Sequence, residues 1–441
     1  MFLDNWLAQR AETCPDRLAV RSAGTDLTYA ELELEAAATA RRLAARGVRR
    51  GATVALELEA GPDYAVLLHA LMKLGAIAHP LNARLSDAER EAELRRAEPA
   101  LVLTSPLERT TTEADMPLLG EHDLSALHCR LLTSGTSGRP RSVGLTYGNF
   151  LWSAVGSAFN LGVDPSDRWL CCLPLHHVAG LSILMRSVVY GTGTVVHPGF
   201  DTDRVARSLE EDEISLVSLV ATQLIRLLEA DVDLSGPRAI VAGGGPVPID
   251  AIEEAAGRGA TVVQTYGMTE TCSQVTTLSP AEARSKAGSA GRPLLTTHLR
   301  IQGGEILVQG PTVAPGMADE DGWLHTGDLG RIDDEGFLYV EDRLGDVIVT
   351  GGENVMPAEI EQVLLRHPDV ADAAAVGRPD PKWQEAVTAV VVMRDGAEAT
   401  ADELRRHCAE ALAGFKVPKR FEFVAELPRT ESGKLRRREL R

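Results

Sequence analysis

Thr133-Ser-Gly-Thr-Ser-Gly-Arg-Pro-Arg-Ser142 sets five hydroxyl side chains and two glycines into ten consecutive residues. Glycine lets a backbone turn tightly and brings its N–H groups close to an anion, and each hydroxyl can donate a further hydrogen bond. The stretch is suited to holding phosphate oxygens with neutral donors. It is not a Walker A loop, because GxxxxGK[ST] is absent. Composition alone also allows an unstructured polar turn, so the surrounding chain has to decide.

Upstream, Tyr29 to Gly47 carries Ala, Leu, Glu and Arg at helical spacing and stops at a glycine suited to a C-cap. Val54 to Leu58 reads as a strand, Tyr64 to Leu74 as an apolar helix ending at Gly75, and Ala76 to Ala78 as another short strand. Downstream, Trp169–Leu173, Leu216–Val220, Ala239–Ala242 and residues 194–196 and 261–263 read as strands between helices. This alternation predicts an α/β fold with a largely parallel sheet. Past the strand at 336–340, the pattern changes near Arg343. A helix over Pro357–Arg366, strands over Val370–Val376 and Ala386–Met393, and a helix over Ala401–Ala413 predict a small, mobile α+β domain. The expected division is a large domain over 1–342, a hinge over 343–346 and a small domain over 347–441.

A chain of 441 residues is long enough for two or three cores. Its formal net charge of -18 argues against nucleic acid or an anionic membrane as partner. It also means that a nucleotide site must gather its positive charge locally. The six cysteines show no CxxC spacing and read as free thiols, with Cys171-Cys172 in a buried strand. No basic start precedes an apolar run, and no apolar stretch approaches a membrane span, so a cytoplasmic location is expected. Monomer or homodimer is left open.

The loop at Thr133 does not stand alone. Gly243-Gly-Gly-Pro246, Tyr266-Gly-Met-Thr-Glu270, Trp323-Leu-His-Thr-Gly-Asp328, Asp342-Arg343, Gly351-Gly-Glu-Asn354 and Pro428-Arg-Thr-Glu-Ser-Gly-Lys434 follow in that order. Together they resemble the signatures of the adenylate-forming superfamily of acyl-CoA synthetases, luciferases and peptide-synthetase adenylation domains, over nearly the whole chain. The resemblance implies ATP, Mg²⁺ and CoA as cofactors and a carboxylic acid as substrate, activated as an acyl-adenylate and passed to CoA. Thr133, Ser134, Gly135 and Thr136 would hold phosphates. Gly243, Gly244 and Gly245 would let adenine lie against backbone, with Tyr266 stacking on it and Thr265 and Gly267 beside it. Asp328 would accept the ribose hydroxyls and Arg343 would share them. Thr269 would bond a phosphate oxygen, and Glu270 would hold the metal. Lys434 would place a positive charge between the attacking carboxylate and the α-phosphate. In isolation, Lys434-Leu-Arg-Arg-Arg438 would pass for a solvated basic tail.

The superfamily rotates its small domain between half-reactions. The resemblance puts the pivot at Gly345, where relatives often carry Asp or Lys, and brings Gly351-Gly352 to the thiol tunnel. The phosphate loop departs from the usual pattern, with Arg141 in place of Lys and Ser142 in place of Gly.

Within the superfamily, Asn160–Val163, Leu173-Pro-Leu-His-His177, Gly180-Leu-Ser182, Tyr266–Gln274 and Gly288–Gly291 are most similar to the o-succinylbenzoate–CoA ligases of menaquinone biosynthesis. That diacid has a second carboxylate, and Arg186 is the candidate to pair with it, with Ser218, Thr265 and Ser289 lining the pocket and His177 shaping its entry. The bland alternative for Arg186 is an exposed helix charge. Adjacent His176-His177 in a strand would point to opposite faces and chelate poorly. Competing expectations are a CoA ligase for a benzoate, cinnamate or short fatty acid, a stand-alone enzyme loading a carrier protein, and an inactive nucleotide-binding regulator.

Overall fold

The computed structural model describes the whole chain except residues 23, 109, 134–140, 351–352, 382, 431–432 and 434 and the side chains of Asn354 and Gln384. It divides into two compact units, one of Met1–His298 with Val308–Leu324, the other of Leu299–Leu307 with His325–Arg441.

In the first unit, a nine-stranded sheet runs in the order Arg292–Pro293, Ser273–Thr277, Val262–Met268, Ala239–Ala242, Leu216–Leu219, Arg168–Cys171, Gly193–Val196, Leu18–Ser22, Thr25–Thr28. The six strands from Val262–Met268 to Leu18–Ser22 are parallel, as the helix–strand alternation predicts. Most of their residues are apolar on both faces, as in a parallel sheet covered by helices. The strand expected over 261–263 extends to Met268, since its second half pairs antiparallel with Ser273–Thr277. The helices Thr202–Glu211, Ala221–Glu229 and Ile249–Gly257 share one apolar core against this sheet.

A five-stranded sheet in the same unit orders Leu101–Leu103, Thr53–Leu56, Ile77–Pro80, Leu127–Thr133 and Arg141–Thr146. Helix Tyr29–Ala45 opens on a capping box between Thr28 and Glu31. Helix Pro62–Leu74 ends at Gly75 in the left-handed conformation, φ 62°. The last two strands pair antiparallel in register from Leu127↔Thr146 to Thr133↔Arg141.

A four-stranded sheet, largely in the second unit, orders His298–Gln302, Glu305–Gln309, Leu324–Ile332 and Leu338–Arg343, the last two paired antiparallel. A five-stranded sheet built on Val370–Asp380 and Gln384–Met393 packs under the helices Pro357–Leu365 and Ala401–Ala411. Compactness therefore divides the chain earlier than the expected boundary at residue 342. The reason is local: the Asp342 carboxylate accepts from Ala358 N at 3.0 Å, tying strand Leu338–Arg343 to the start of helix Pro357–Leu365. All six cysteines are free, and five of them are buried. Among the described residues, no helix is long and apolar enough to cross a membrane.

The base of the strand pair Leu127–Thr133 and Arg141–Thr146 rests on a buried ring cluster. His122 stacks on Tyr147 with centroids 4.6 Å apart, and His128 lies 5.1 Å from both Tyr147 and Phe150. Burial pushes His69 and His128 down to about 3 and His122 down to about 4. The unfolded chain binds these protons near pH 6.5 and the folded chain does not, so stability is present above that pH and lost as pH falls toward 4. Each histidine contributes up to about 1.4 kcal/mol per pH unit in that window. Both ring nitrogens of His128 lack a partner. His128→Phe should therefore remove about one proton's share of the pH slope in urea unfolding between pH 6.5 and 5, and an unchanged slope would refute this origin.

Candidate active site

In an open α/β sheet, ligands bind at the carboxyl ends of parallel strands where the strand order reverses. Here the reversal falls at Arg168–Cys171, because the next strand, Gly193–Val196, lies on one side of it and Leu216–Leu219 on the other. Helix Val178–Tyr190 packs against helices Trp6–Thr13 and Tyr147–Leu161, whereas helix Ala221–Glu229 belongs to the core cluster of Ile249–Gly257. The carboxyl ends of these central strands carry His177, Ser218, Gly243 to Gly245 and Thr265 to Gly267. Residues far apart in sequence therefore meet along one edge.

The close approaches explain the glycines. A Cβ on Gly243 would lie 2.6 Å from Thr265 Cγ2, which sets these two residues side by side on neighbouring strands. On Gly267 it would lie 1.6 Å from Ser273 O, so only glycine fits the irregularity where the strand register shifts. Gly244 has φ +80°. Beyond Met268, a single turn over Thr269–Thr271 presents Thr269 and Glu270, and Glu270 O accepts from Ala314 N at 2.8 Å. The Thr265 hydroxyl bonds Thr276 O and Thr277 Oγ1, both at 2.8 Å, so it holds the strand pair. Thr133 ends its strand with its hydroxyl 3.4 Å from Arg141 O. Ser134, Gly135, Thr136 and Lys434 lie outside the described residues, as do Gly351 and Gly352.

Arg186 is not an exposed helix charge. It is 3% exposed in a helix buried along most of its length. Its Nη2 donates to Ser153 Oγ at 3.2 Å, its guanidinium sits 5.6 Å over the Trp169 ring, and its Nε has no partner. Burial pulls its pKa down, opposed by Tyr190 and Cys272. No carboxylate answers it among the described residues. Trp169 Nε1 donates to Ser218 Oγ at 3.0 Å, and Ser153 Oγ to Cys272 O at 2.8 Å. One buried chain thus runs from Ser218 through Trp169, Arg186 and Ser153 to the end of the Thr269–Thr271 turn. Gln274, on the strand that packs against the Arg186 helix, is 3% exposed and has neither amide atom paired. Sequence reasoning placed Trp169 and Gln274 within runs similar to the o-succinylbenzoate–CoA ligases but assigned neither of them, nor Ser153, to the site.

Ser289 is fully buried, and its hydroxyl accepts from Gly291 N at 3.0 Å. His176 and His177 lie in a turn before helix Val178–Tyr190, with ring centroids 4.4 Å apart, so they do not alternate across a strand as expected. Among the described residues, no three His, Cys, Asp or Glu side chains are grouped to hold a metal.

Asp328 and Arg343 belong to the second unit. They face each other across the pair Leu324–Ile332 and Leu338–Arg343, and Arg343 Nε donates to Asp328 Oδ1 at 2.8 Å. The turn before Asp328 is braced by Thr326 Oγ1 to Ile306 O at 2.7 Å and Gly327 N to Glu305 Oε1 at 3.0 Å. Gly345 has open space where a Cβ would lie, and its φ is not left-handed.

The AMP-binding enzyme family matches residues 7–129 and 120–317, and the AMP-binding enzyme C-terminal domain matches 359–434. The 2-succinylbenzoate–CoA ligase of Bacillus licheniformis is 41% identical, with both chains covered in full. The o-succinylbenzoate CoA synthetase of Bacillus subtilis, solved with the acyl-adenylate intermediate, is 38% identical at TM-score 0.94, covering 100% of this chain and 98% of its own. The same enzyme solved with ATP and magnesium superimposes equally, at TM-score 0.94 with both chains covered in full. MatB of Rhodopseudomonas palustris with ATP is 27% identical at TM-score 0.92, covering 100% and 98%.

The two glycine environments predict opposite outcomes. Gly267→Ala should cost on the order of 2 kcal/mol or more in unfolding free energy, because Ser273 O is backbone and cannot step aside cheaply. Gly245→Ala meets nothing within 4 Å and should leave thermal stability unchanged while weakening ATP binding. Equal stability loss in both would contradict the steric account.

Proposed function

The chain belongs to the AMP-binding enzyme family, and we propose that it joins 2-succinylbenzoate to CoA at the expense of ATP. In the first half-reaction a substrate carboxylate oxygen attacks the α-phosphorus of ATP, the bond to the bridging oxygen breaks, and pyrophosphate leaves. In the second, the CoA thiol, losing its proton, attacks the acyl carbon, a thioester forms, and AMP leaves.

Roles follow from position and chemistry. The backbone and hydroxyls of Thr133, Ser134, Gly135 and Thr136 receive the phosphates. Adenine lies on Gly243 to Gly245 beside Thr265, Tyr266 and Gly267. Asp328, oriented by Arg343, accepts from the ribose hydroxyls. Thr269 bonds a phosphate oxygen. Glu270 is part-exposed and, among the described residues, belongs to no group of three or more ligand-type side chains, which suits Mg²⁺, since that ion takes one or two carboxylates and fills its shell with phosphate oxygens and water. Bound there, it would neutralise phosphate charge. Lys434 supplies the positive charge between the two anions during adenylation. Residues 347–441 turn about the hinge over 343–346, with Gly345 as pivot, before CoA attacks. ATP and CoA supply places the reaction in the cytoplasm.

The observation that carries the choice of acid is the buried, unanswered Arg186. An ionised group held away from water is costly unless paired, so a site that keeps one is complete only with an anion. A monoacid spends its one carboxylate on adenylation. A diacid has a second, and the relatives that resemble this chain over its full length are ligases of such an acid. Ser218 and Ser289 already use their hydroxyls on Trp169 and Gly291, so they shape the pocket wall, and His177 shapes its entry.

Arg186→Gln should raise KM for 2-succinylbenzoate at least about tenfold, roughly 1.4 kcal/mol, and leave KM for benzoate within about twofold. Parallel loss for both acids would mean that Arg186 supports the fold and not the substrate.

A further inference from the structure

The basic tail around Lys434 is fastened on both sides. Before it, Arg429 reaches Asp372 with Nη2 at 2.8 Å from each carboxylate oxygen and Nε at 3.1 Å, and its Nη1 donates to Gly433 O at 2.8 Å. Arg429 bridges to Leu435, and Arg436 N donates to Pro428 O at 2.8 Å, closing the segment at its base. After it, Arg437 holds Glu361 through both terminal nitrogens, with Nη2 at 2.9 Å, and its Nε lies 3.4 Å from Asp346 Oδ2. Arg441 Nη2 donates to Gly345 O at 3.1 Å and to Asp346 Oδ1 at 3.2 Å. All of these groups lie in the second unit.

The Glu361–Arg437 clamp is more than surface pairing, while Asp372 and Arg429 are part-exposed, at 29% and 32%. Exposed ion pairs contribute little, but the Arg437 and Glu361 side chains are only 13% and 14% exposed and meet fork to fork. Glu361 also accepts from Ala375 N at 2.7 Å. Burial pushes it up to about 7 despite the pull of Arg437, with Asp342 adding to the rise. A buried pair of this kind often adds no stability over apolar side chains of the same volume, whereas it does fix geometry.

We propose that Asp372–Arg429 and Glu361–Arg437 are positioning pairs that hold the segment bearing Lys434 for adenylation, and that Arg437 and Arg441 couple that segment to the hinge at Gly345-Asp346. The proposal rests on the adenylation role given to Lys434. The described residues on both sides of Lys434 are then carried with the hinge as it turns, which withdraws the lysine between half-reactions. Positioning matters because a displacement of about 1 Å in a charge at the reacting atoms can cost about a hundredfold in rate.

The test uses the full chain and neutral near-isosteres, Glu361→Gln and Asp372→Asn, with Arg437→Lys as the conservative variant. Adenylation is read as ATP–pyrophosphate exchange with 2-succinylbenzoate, and thioester formation from supplied acyl-adenylate and CoA. Each isostere should lower the exchange kcat at least about tenfold, with KM for ATP and acid and the second half-reaction within about twofold, and Arg437→Lys should fall between. Equal loss in both half-reactions, or normal exchange in both isosteres while Lys434→Ala abolishes it, overturns the positioning role alone. Normal exchange in Lys434→Ala overturns the lysine's role, and the proposal with it.

Discussion

A protein carrying a net charge of -18 that handles ATP, a diacid and CoA must hold anions against its own field. Uniform positive charge is not available, so each anion needs a local answer. In the proposed site, backbone N–H groups and hydroxyls answer the phosphates, and they add no net charge of their own. Buried or paired arginines answer the rest, each fixed by a neighbour: Arg186 by Ser153 and Trp169, Arg343 by Asp328, Arg437 by Glu361. Among the described residues Arg186, unlike the other two, meets no carboxylate, and for that reason it is the proposed receptor for a substrate anion.

The parallel sheet provides the places for these answers. Because successive crossovers leave Arg168–Cys171 toward opposite sides, the edge at its carboxyl end stays open, and turns from several strands converge there. Helix Val178–Tyr190, which follows directly, carries Arg186 behind that edge. Trp169 sits in the strand itself, so one indole touches both the neighbouring strand through Ser218 and the helix through Arg186. Strand order thus sets where the acyl pocket is proposed.

Much of this was legible in the sequence, for physical reasons. Strand–helix alternation, the glycine stop at Gly75 and the ordered motifs gave the α/β class, the two-part chain and the family. The compact units were less legible, because the Asp342 to Ala358 contact that joins strand Leu338–Arg343 to the following helix leaves no periodic trace. The burial of Arg186 was hidden as well, since an arginine in an apolar helix reads equally as an exposed charge. Trp169, Ser153 and Gln274 look like core residues until their polar atoms are traced. The turn at His176-His177 was misread as strand because Leu173-Pro-Leu175 continues the apolar run beyond its hydrogen bonds.

The central claim is that the chemistry is fixed by the family's ATP site and the acid by a single buried cation. CoA-dependent AMP release, compared between 2-succinylbenzoate and benzoate at equal enzyme, tests it directly. The account requires kcat/KM for the diacid to exceed that for benzoate at least about tenfold, about 1.4 kcal/mol of transition-state preference. Equal values, or a preference for benzoate, would contradict it.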